Sequence, residues 1–380
     1  MAGSSYGTIF RITTWGESHG KGIGVVVDGC PAGLPLSEED IQRYLDRRKP
    51  GQSRFTTARQ EGDQAEILSG VFEGKTTGTP IALEIRNKDQ RSQDYGEIMD
   101  IYRPGHADYT FDQKYGFRDY RGGGRSSGRE TAGRVAAGAV AAKLLESLGV
   151  KVRAYTRSIG PVVISPERMD LAERDKNRLY MPDAQAALEA EAYLETLMAE
   201  KDSSGGVVEC VIEGMPVGIG EPVFEKLDAN LAKAILSIGA VKGFEIGSGF
   251  QAASMRGSEN NDAFCLEEKT PDGGLAFLPR TVKQTNHSGG TLGGMSDGSP
   301  IVFRAAFKPT PSIACPQQTV DRFGKEREIV IKGRHDPIIV PRAVVVVEAM
   351  AALTAADMLL LSMTSRLDRI RAFFGGDRAG

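Results

Sequence analysis

Cysteine is scarce in this chain of 380 residues: only Cys30, Cys210, Cys265 and Cys315 occur, far apart. No C-x-x-C pair exists, so neither a zinc knuckle nor a redox dithiol is suggested, and reduced, mostly buried thiols in a cytoplasmic protein are expected. Histidine is equally rare, with four residues and no H-E-x-x-H spacing, which speaks against a metal centre. No apolar run approaches the roughly 20 residues that cross a bilayer, so no membrane contact is expected. The first residues lack a basic end followed by an apolar core, and no signal peptide is expected. A basic excess is missing too. The net charge of −3 and pI near 6.0 are unlike those of a nucleic-acid binder, and no nucleic-acid partner is expected. Two nucleotide signatures are also absent, the G-x-x-x-x-G-K-[ST] loop and a G-x-G-x-x-G turn after a strand.

The length suits one large domain or two fused halves, and residues 1–380 are taken as a single domain. Although the chain is mildly acidic, its cations are concentrated. Residues 43–59 hold six basic residues and one acid, and residues 103–134 hold six arginines and one lysine. These arginines lie among glycine, serine and proline rather than at i,i+4 spacing to acids, so they point to local positive potential for a small anion.

Strands and helices alternate. Residues 22–29 read as a buried strand. Ser37 opens a helix, with an acid three residues on, that runs to about Arg48 and stops before Pro50-Gly51. Residues 67–72 and 80–85 read as two strands joined by a glycine-threonine turn. Residues 127–148 form a long helix whose alanines and glycines imply close packing against a neighbouring layer. Residues 183–200 and 228–238 form two more, the latter capped by Asp228. A last helix starts at Pro341 and passes Leu361, with the valine run at 344–347 as its weak point.

The chain also echoes itself. Val25-Val26-Val27-Asp28-Gly29-Cys30-Pro31-Ala32-Gly33-Leu34 is echoed by Cys210-Val211-Ile212-Glu213-Gly214-Met215-Pro216-Val217-Gly218-Ile219, and both lead into a helix. Gly78-Thr79-Pro80-Ile81 is echoed, in the same order, by Gly298-Ser299-Pro300-Ile301. Two strand–loop–helix halves about a pseudo-twofold axis would account for this.

The four histidines, His19, His106, His287 and His335, all fall in glycine-rich or charged stretches, where a side chain titrating near neutral pH serves as acid or base. In Arg121-Gly-Gly-Gly-Arg125-Ser126-Ser127-Gly128-Arg129 three glycines allow close backbone approach, the serines can cap the following helix, and the helix N-terminus favours an anion. The residues by themselves give an enzyme for a small, phosphorylated, acidic substrate; they do not give the reaction.

From Tyr6 to about Leu360 the chain resembles the chorismate synthase family. The matching motifs are Gly16-Glu17-Ser18-His19-Gly20, Asp46-Arg47-Arg48 with Pro50-Gly51 and Ser53-Arg54, and Asp89-Gln90-Arg91-Ser92. They continue with Arg103-Pro104-Gly105-His106-Ala107-Asp108-Tyr109, residues 119–134, Asn286-His287, Lys308-Pro309-Thr310 and Gly333-Arg334-His335-Asp336-Pro337. Gly128 departs from the family's frequent alanine. The resemblance implies an α+β fold, a β-α-β sandwich with two pseudo-symmetric strand–helix halves, assembled as a homotetramer. It implies a 1,4-anti elimination of phosphate from 5-enolpyruvylshikimate 3-phosphate, with reduced FMN as cofactor and no net redox change. NADPH would enter only indirectly, through an external flavin reductase. By the same resemblance His106 is the acid for the departing phosphate, His19 the proton donor to the reduced flavin and Asp336 the base acting at its N5. Arg48, Arg54, Arg129 and Arg134 hold the substrate's anions. Arg125, Ser126, Ser127, Gly239, Ala240, Gly293, Lys308, Pro309, Thr310, Pro311, Ser312 and Arg334 contact the flavin.

Overall fold

A computed structural model describes residues 3–52, 54–55, 62–88, 99–266, 281–331 and 336–375. Ser53, Gly333, Arg334, His335 and the Asp89-Gln90-Arg91-Ser92 motif lie outside the described residues.

The first half comprises β1 (Ser5–Tyr6), β2 (Arg11–Gly16), β3 (Gly22–Asp28), α1 (Glu38–Arg48), β4 (Ala65–Ile67), the small hairpin β5 (Val71–Phe72) and β6 (Lys75–Thr76), β7 (Ile81–Arg86), α2 (Asp108–Tyr115) and α3 (Thr131–Ser147). The second comprises β8 (Lys151–Ile159), β9 (Val162–Val163), α4 (Ala184–Glu200), β10 (Gly206–Glu213), α5 (Leu227–Leu236), β11 (Val241–Ile246), α6 (Gly257–Asn260), β12 (Phe264–Leu266), β13 (Thr281–Lys283), the hairpin β14 (Thr291–Leu292) and β15 (Met295–Ser296), β16 (Ile301–Phe307), β17 (Gln317–Val320), β18 (Glu326–Ile329) and α7 (Val340–Leu361). A final helix, α8 (Leu367–Gly375), follows.

Two antiparallel five-stranded sheets result, ordered β1-β2-β3-β7-β4 and β9-β8-β10-β16-β11. In chain and sheet order β2-β3-β7-β4 corresponds to β8-β10-β16-β11, the edge strands β1 and β9 being joined differently, and each half inserts a helix and a small hairpin at the matching point. The repetition extends to single bonds. Gly33 N–H donates to Thr76 O and Gly218 N–H to Ser296 O, both at 2.8 Å. Thr76 Oγ1 donates to Pro31 O (2.6 Å) and Ser296 Oγ to Pro216 O (2.5 Å). Gly33 and Gly218 share φ of 89° and 88°, a left-handed conformation that a side chain would strain. The echo read from the sequence is therefore a structural duplication, and the fold is the α+β sandwich expected.

Between the sheets lies a helical layer. α3 packs on β2, β3 and β7, α7 packs on β8 and β10, and the two helices pack on one another. The small residues of α3 make this possible: a Cβ on Gly138 would collide with Ala349 of α7. In α7 the residues Val344, Val345, Val346 and Val347 are buried. Burying each valine is worth roughly 1.5–3 kcal/mol, several times its helix-propensity deficit, so the valine run does not break the helix. Two acids inside α7 are satisfied. Glu348 accepts from Arg47 Nη1 (2.6 Å), Arg174 Nη1 (3.0 Å) and Ala154 N–H (2.8 Å). Asp357 accepts from the backbone N–H groups of Thr8, Ile9 and Phe10.

Three expectations are corrected. Val340–Thr364 is, by length and composition, apolar enough to cross a membrane, contrary to the reading that no stretch approaches that length; 83% of its apolar window is buried in the sandwich. The strand expected over 67–72 ends at Ile67, because Gly70 turns the chain at φ 81° and Val71–Phe72 pairs instead with Lys75–Thr76. Asp228 is not the cap of α5. Buried Leu227, whose N–H donates to Gly294 O (2.8 Å), starts the helix one residue earlier, and the Asp228 carboxylate accepts from Ala229 within the first turn. The Ser37 start stands, with its N–H donating to Asp40 Oδ2 (3.0 Å).

Candidate active site

The C-terminal end of α1 meets the N-terminal ends of α3 and α7 at Arg48. Its Nε donates to Thr131 Oγ1 (3.2 Å), Nη1 to Asp63 Oδ2 (2.7 Å) and Nη2 to Gly128 O (3.1 Å), while its carbonyl accepts from Arg342 Nε (3.1 Å). Two helix N-termini facing one spot give it positive potential before any side chain is counted. Asp63 is fully buried and shared, its second oxygen accepting from Arg129. Burial alone would raise the Asp63 pKa, but the guanidiniums of Arg48 and Arg129 outweigh it and hold the carboxylate below its usual range. Burial lowers the Arg48 pKa to about 10, which leaves it charged at neutral pH. Arg342 Nη1 donates in turn to Asp336 Oδ2 (2.6 Å). Three guanidiniums against two carboxylates leave this cluster cationic.

The Gly16-to-Gly20 turn joins through Asn87. Arg129 Nε donates to Asn87 Oδ1 (2.9 Å), and Asn87 Nδ2 donates to Glu17 O (3.0 Å) and Gly20 O (2.9 Å). His19, in that turn, has its Nδ1 3.1 Å from Ser18 Oγ and packs against Gly122, where a Cβ would stand 2.5 Å from its ring. Arg125 braces the same turn, Nη1 donating to Gly16 O (3.0 Å) and Nη2 to Thr14 Oγ1 (2.6 Å). Ser126 Oγ donates to Gly123 O (2.7 Å), and Ser127 caps the turn before α3 by accepting from Arg129 N–H (3.2 Å).

His106 stands on the turn before α2. Its Nδ1 is 3.0 Å from Pro104 O and its Nε2 2.9 Å from Ser312 Oγ. Burial, and then the Arg103 charge, lowers its pKa to about 4, so the ring is neutral at pH 7. Lys308 ties the two loops together, Nζ donating to Gly105 O (2.8 Å) and N–H to Ala240 O (2.9 Å). Ser203 Oγ donates to Thr310 O (2.7 Å), and the adjacent Ser204 N–H to Pro337 O (2.9 Å), next to Asp336. On the far side Arg134 Nη1 donates to Ser237 Oγ (2.7 Å) at the end of α5, just before Gly239 and Ala240.

The contacts thus close a ring: Arg48 and Asp63, Arg129, the start of α3, Arg134, Ala240, Lys308, His106 with Ser312, Thr310, Pro337 with Asp336, and Arg342 back to Arg48. Most residues singled out in the sequence lie on it, Pro309 and Pro311 within its 308–312 segment. Two do not. Arg54 turns to Glu191 (3.2 Å) and Glu195 (2.6 Å) of α4. Gly293 belongs to a hairpin fixed at the start of α5, roughly 15 Å of helix from Gly239. His287 is also apart, paired with Asp262 at the opposite end of β11. Asp63, Asn87, Ser203 and Arg342 were missed. Only Arg342 gave a signal: a cation in the first turn of a helix opposes the dipole and marks a residue held there for another reason.

Fixed guanidiniums with a neutral histidine and a carboxylate beside them, carried on a duplicated α+β sandwich, suit an enzyme that binds a small anion. The comparisons with known proteins are specific. The family model described as "Chorismate synthase" matches residues 10–360. The chain is similar to the chorismate synthase of Agathobacter rectalis, 67% identical over 98% of this chain and 99% of the relative, and to that of Lachnospira eligens, 64% identical over 98% and 100%. A solved structure titled "Crystal Structure of Chorismate Synthase" superposes with a TM-score of 0.75 at 34% identity, covering 97% of both chains. The chain belongs to the chorismate synthase family.

Proposed function

We propose that this enzyme is a cytoplasmic lyase that converts 5-enolpyruvylshikimate 3-phosphate to chorismate, using reduced FMN, within the shikimate route to aromatic amino acids. The observation that supports the reading is the continuous path of contacts that links His106, Asp336, Arg48 and Arg129, which come from four distant parts of the chain.

The substrate bears a phosphate and two carboxylates, and the cationic cluster and paired helix N-termini suit it. Arg48 acts mainly as fixed positive potential, because its side chain is only 3% exposed and all its nitrogens are engaged; direct contact would require exchanging Asp63. Arg129 and Lys308 stand nearer the edge. Arg134 acts by holding the end of α5, and Arg54 would reach substrate only by leaving α4.

In the elimination the C–O bond to phosphate and one ring C–H bond break and a new ring double bond forms. His106 gives its Nε2 proton to the departing phosphate, which leaves more readily when protonated. A phosphate dianion beside His106 offsets the Arg103 charge and raises the low pKa of the free enzyme, so the acid is charged only when substrate is present. His19 holds a proton on the cofactor side, and Asp336, oriented by Arg342, is the base. Reduced FMN, when bound, supplies the electron density that lets the C–O bond break without net redox change. Residues 308–312, with Ser126, Ser127 and Ala240, suit its placement. Thr310 Oγ1 is buried with no hydrogen-bond partner among the described residues, and Ala240 holds a left-handed φ of 72°. The assembly is a homotetramer, supplied with reduced flavin by a separate NADPH-dependent reductase.

The deciding experiment is phosphate release from 5-enolpyruvylshikimate 3-phosphate under nitrogen, with and without chemically reduced FMN. Many turnovers per flavin support the lyase. Flavin oxidised in step with product would indicate an oxidoreductase, and tight ligand binding without phosphate release a non-catalytic binder.

A further inference from the structure

Ser312 lies in the segment assigned above to the cofactor, yet its hydroxyl meets His106. The hydrogen bonds of that ring settle its tautomer. Nδ1 lies 3.0 Å from the carbonyl oxygen of Pro104, and a carbonyl can only accept. Nδ1 therefore carries the proton of the neutral ring, and Nε2 is left with its lone pair. Ser312 Oγ, 2.9 Å away, donates to it.

We propose that Ser312 is a positioning residue for His106: with Nδ1–H fixed by Pro104 O, its hydroxyl holds the Nε2 edge of the ring and reverses its hydrogen bond when Nε2 becomes protonated. A serine hydroxyl suits this because it both donates and accepts and can rotate about its Cβ–Oγ bond without moving the imidazole. Lys308, on the same segment, can only donate, and its Nζ is held by Gly105 O. The charged groups acting on His106 are Arg103 and Lys308, which disfavour the imidazolium, and Asp108, which favours it; Asp108 is itself engaged by Arg103. In turnover the Nε2–H bond breaks, the proton passes to a phosphate oxygen of the leaving group, and the ring returns to the Nδ1–H form with Ser312 again donating. Solvent supplies the next Nε2 proton as the following substrate binds.

The kinetic part of the test rests on the proposed function; the spectroscopic part does not. The protein is labelled with 15N in its histidine rings, and His106→Gln identifies the His106 signals among four histidines. At pH 7 the wild type shows Nδ1 protonated and Nε2 as a hydrogen-bonded acceptor. Ser312→Ala keeps Nδ1 protonated but moves the Nε2 signal to that of an acceptor without this donor, and Ser312→Thr, which keeps the hydroxyl, restores the wild-type pattern. An Nε2 signal identical in wild type and Ser312→Ala would overturn the proposal, whatever the activity. With saturating reduced FMN and substrate, Ser312→Ala lowers kcat on the order of 10-fold and moves the acid limb of its pH profile, and threonine rescues both. If only the FMN requirement rises, with kcat and its pH profile unchanged at saturation, Ser312 is a cofactor contact alone and the proposal fails. Absence of turnover in the wild type sinks the proposed function, while the Nε2 signal still decides the role of Ser312.

Discussion

A carboxylate shared between two guanidiniums, as Asp63 is between Arg48 and Arg129, stays ionised where burial alone would neutralise it. Replacing it by asparagine leaves Arg48 buried without a counter-charge, which costs about 3–5 kcal/mol. Urea unfolding of Asp63→Asn should show this loss at pH 7. Because the folded pKa of Asp63 is depressed, its stabilisation is present above the unfolded value near 4 and disappears as pH falls through the folded one. The gap between wild type and variant should therefore narrow on acidification; a gap independent of pH would contradict the assignment. His106 behaves likewise, since its pKa of about 4 lies below the 6.5 of a free imidazole. It contributes stability above pH 6.5 that fades as pH falls toward 4. If His106 is the acid, as proposed, its replacement by alanine should cost about 10²-fold or more in turnover, read by phosphate release, with substrate affinity largely kept.

At the scale of elements, α3 and α7 touch where Gly138 faces Ala349. In an isolated helix Gly138→Ala would gain up to about 1 kcal/mol from propensity. Here the added methyl meets the backbone of α7, and overpacking of this kind costs typically 1–3 kcal/mol. The collision is the larger effect, so the variant should unfold at a lower temperature than the wild type. A higher Tm would mean that the two helices are not in such contact. The same packing carries the site, since the N-terminal ends of these helices hold Thr131 and Arg342 around Arg48.

For the molecule as a whole, the duplication makes a quantitative demand. Gly33 and Gly218 have matching φ and no atom within 4 Å of the place a Cβ would occupy, so alanine there meets only the left-handed backbone penalty. Each substitution should cost about 1–2 kcal/mol, and chemical denaturation should find the two costs nearly equal. Clearly unequal costs would show that the halves match in outline but not in energetics. The chemistry does not share this symmetry. His106 and Lys308 come from non-equivalent connections, so one ring of contacts is assembled from a duplicated frame.

Much of this could be read along the chain. A short apolar run placed β3, strand-forming residues after a glycine-threonine turn placed β7, the Ser37-Asp40 pair placed the start of α1, and repeated glycine-proline turns revealed two halves, because each signal is local: one or two residues fix a dihedral, a cap or a face. The long motifs indicated the family. Only the tertiary structure decided that Arg54 turns to α4, that Gly293 stands apart, and that the valine-rich segment of α7 is helical and buried between two sheets. It alone supplied Asp63 and Asn87, whose surroundings in sequence carry no mark. Pairing of charges, burial of a carboxylate and the tautomer of a histidine depend on groups up to hundreds of residues away, and local sequence cannot encode a partner that only folding brings near.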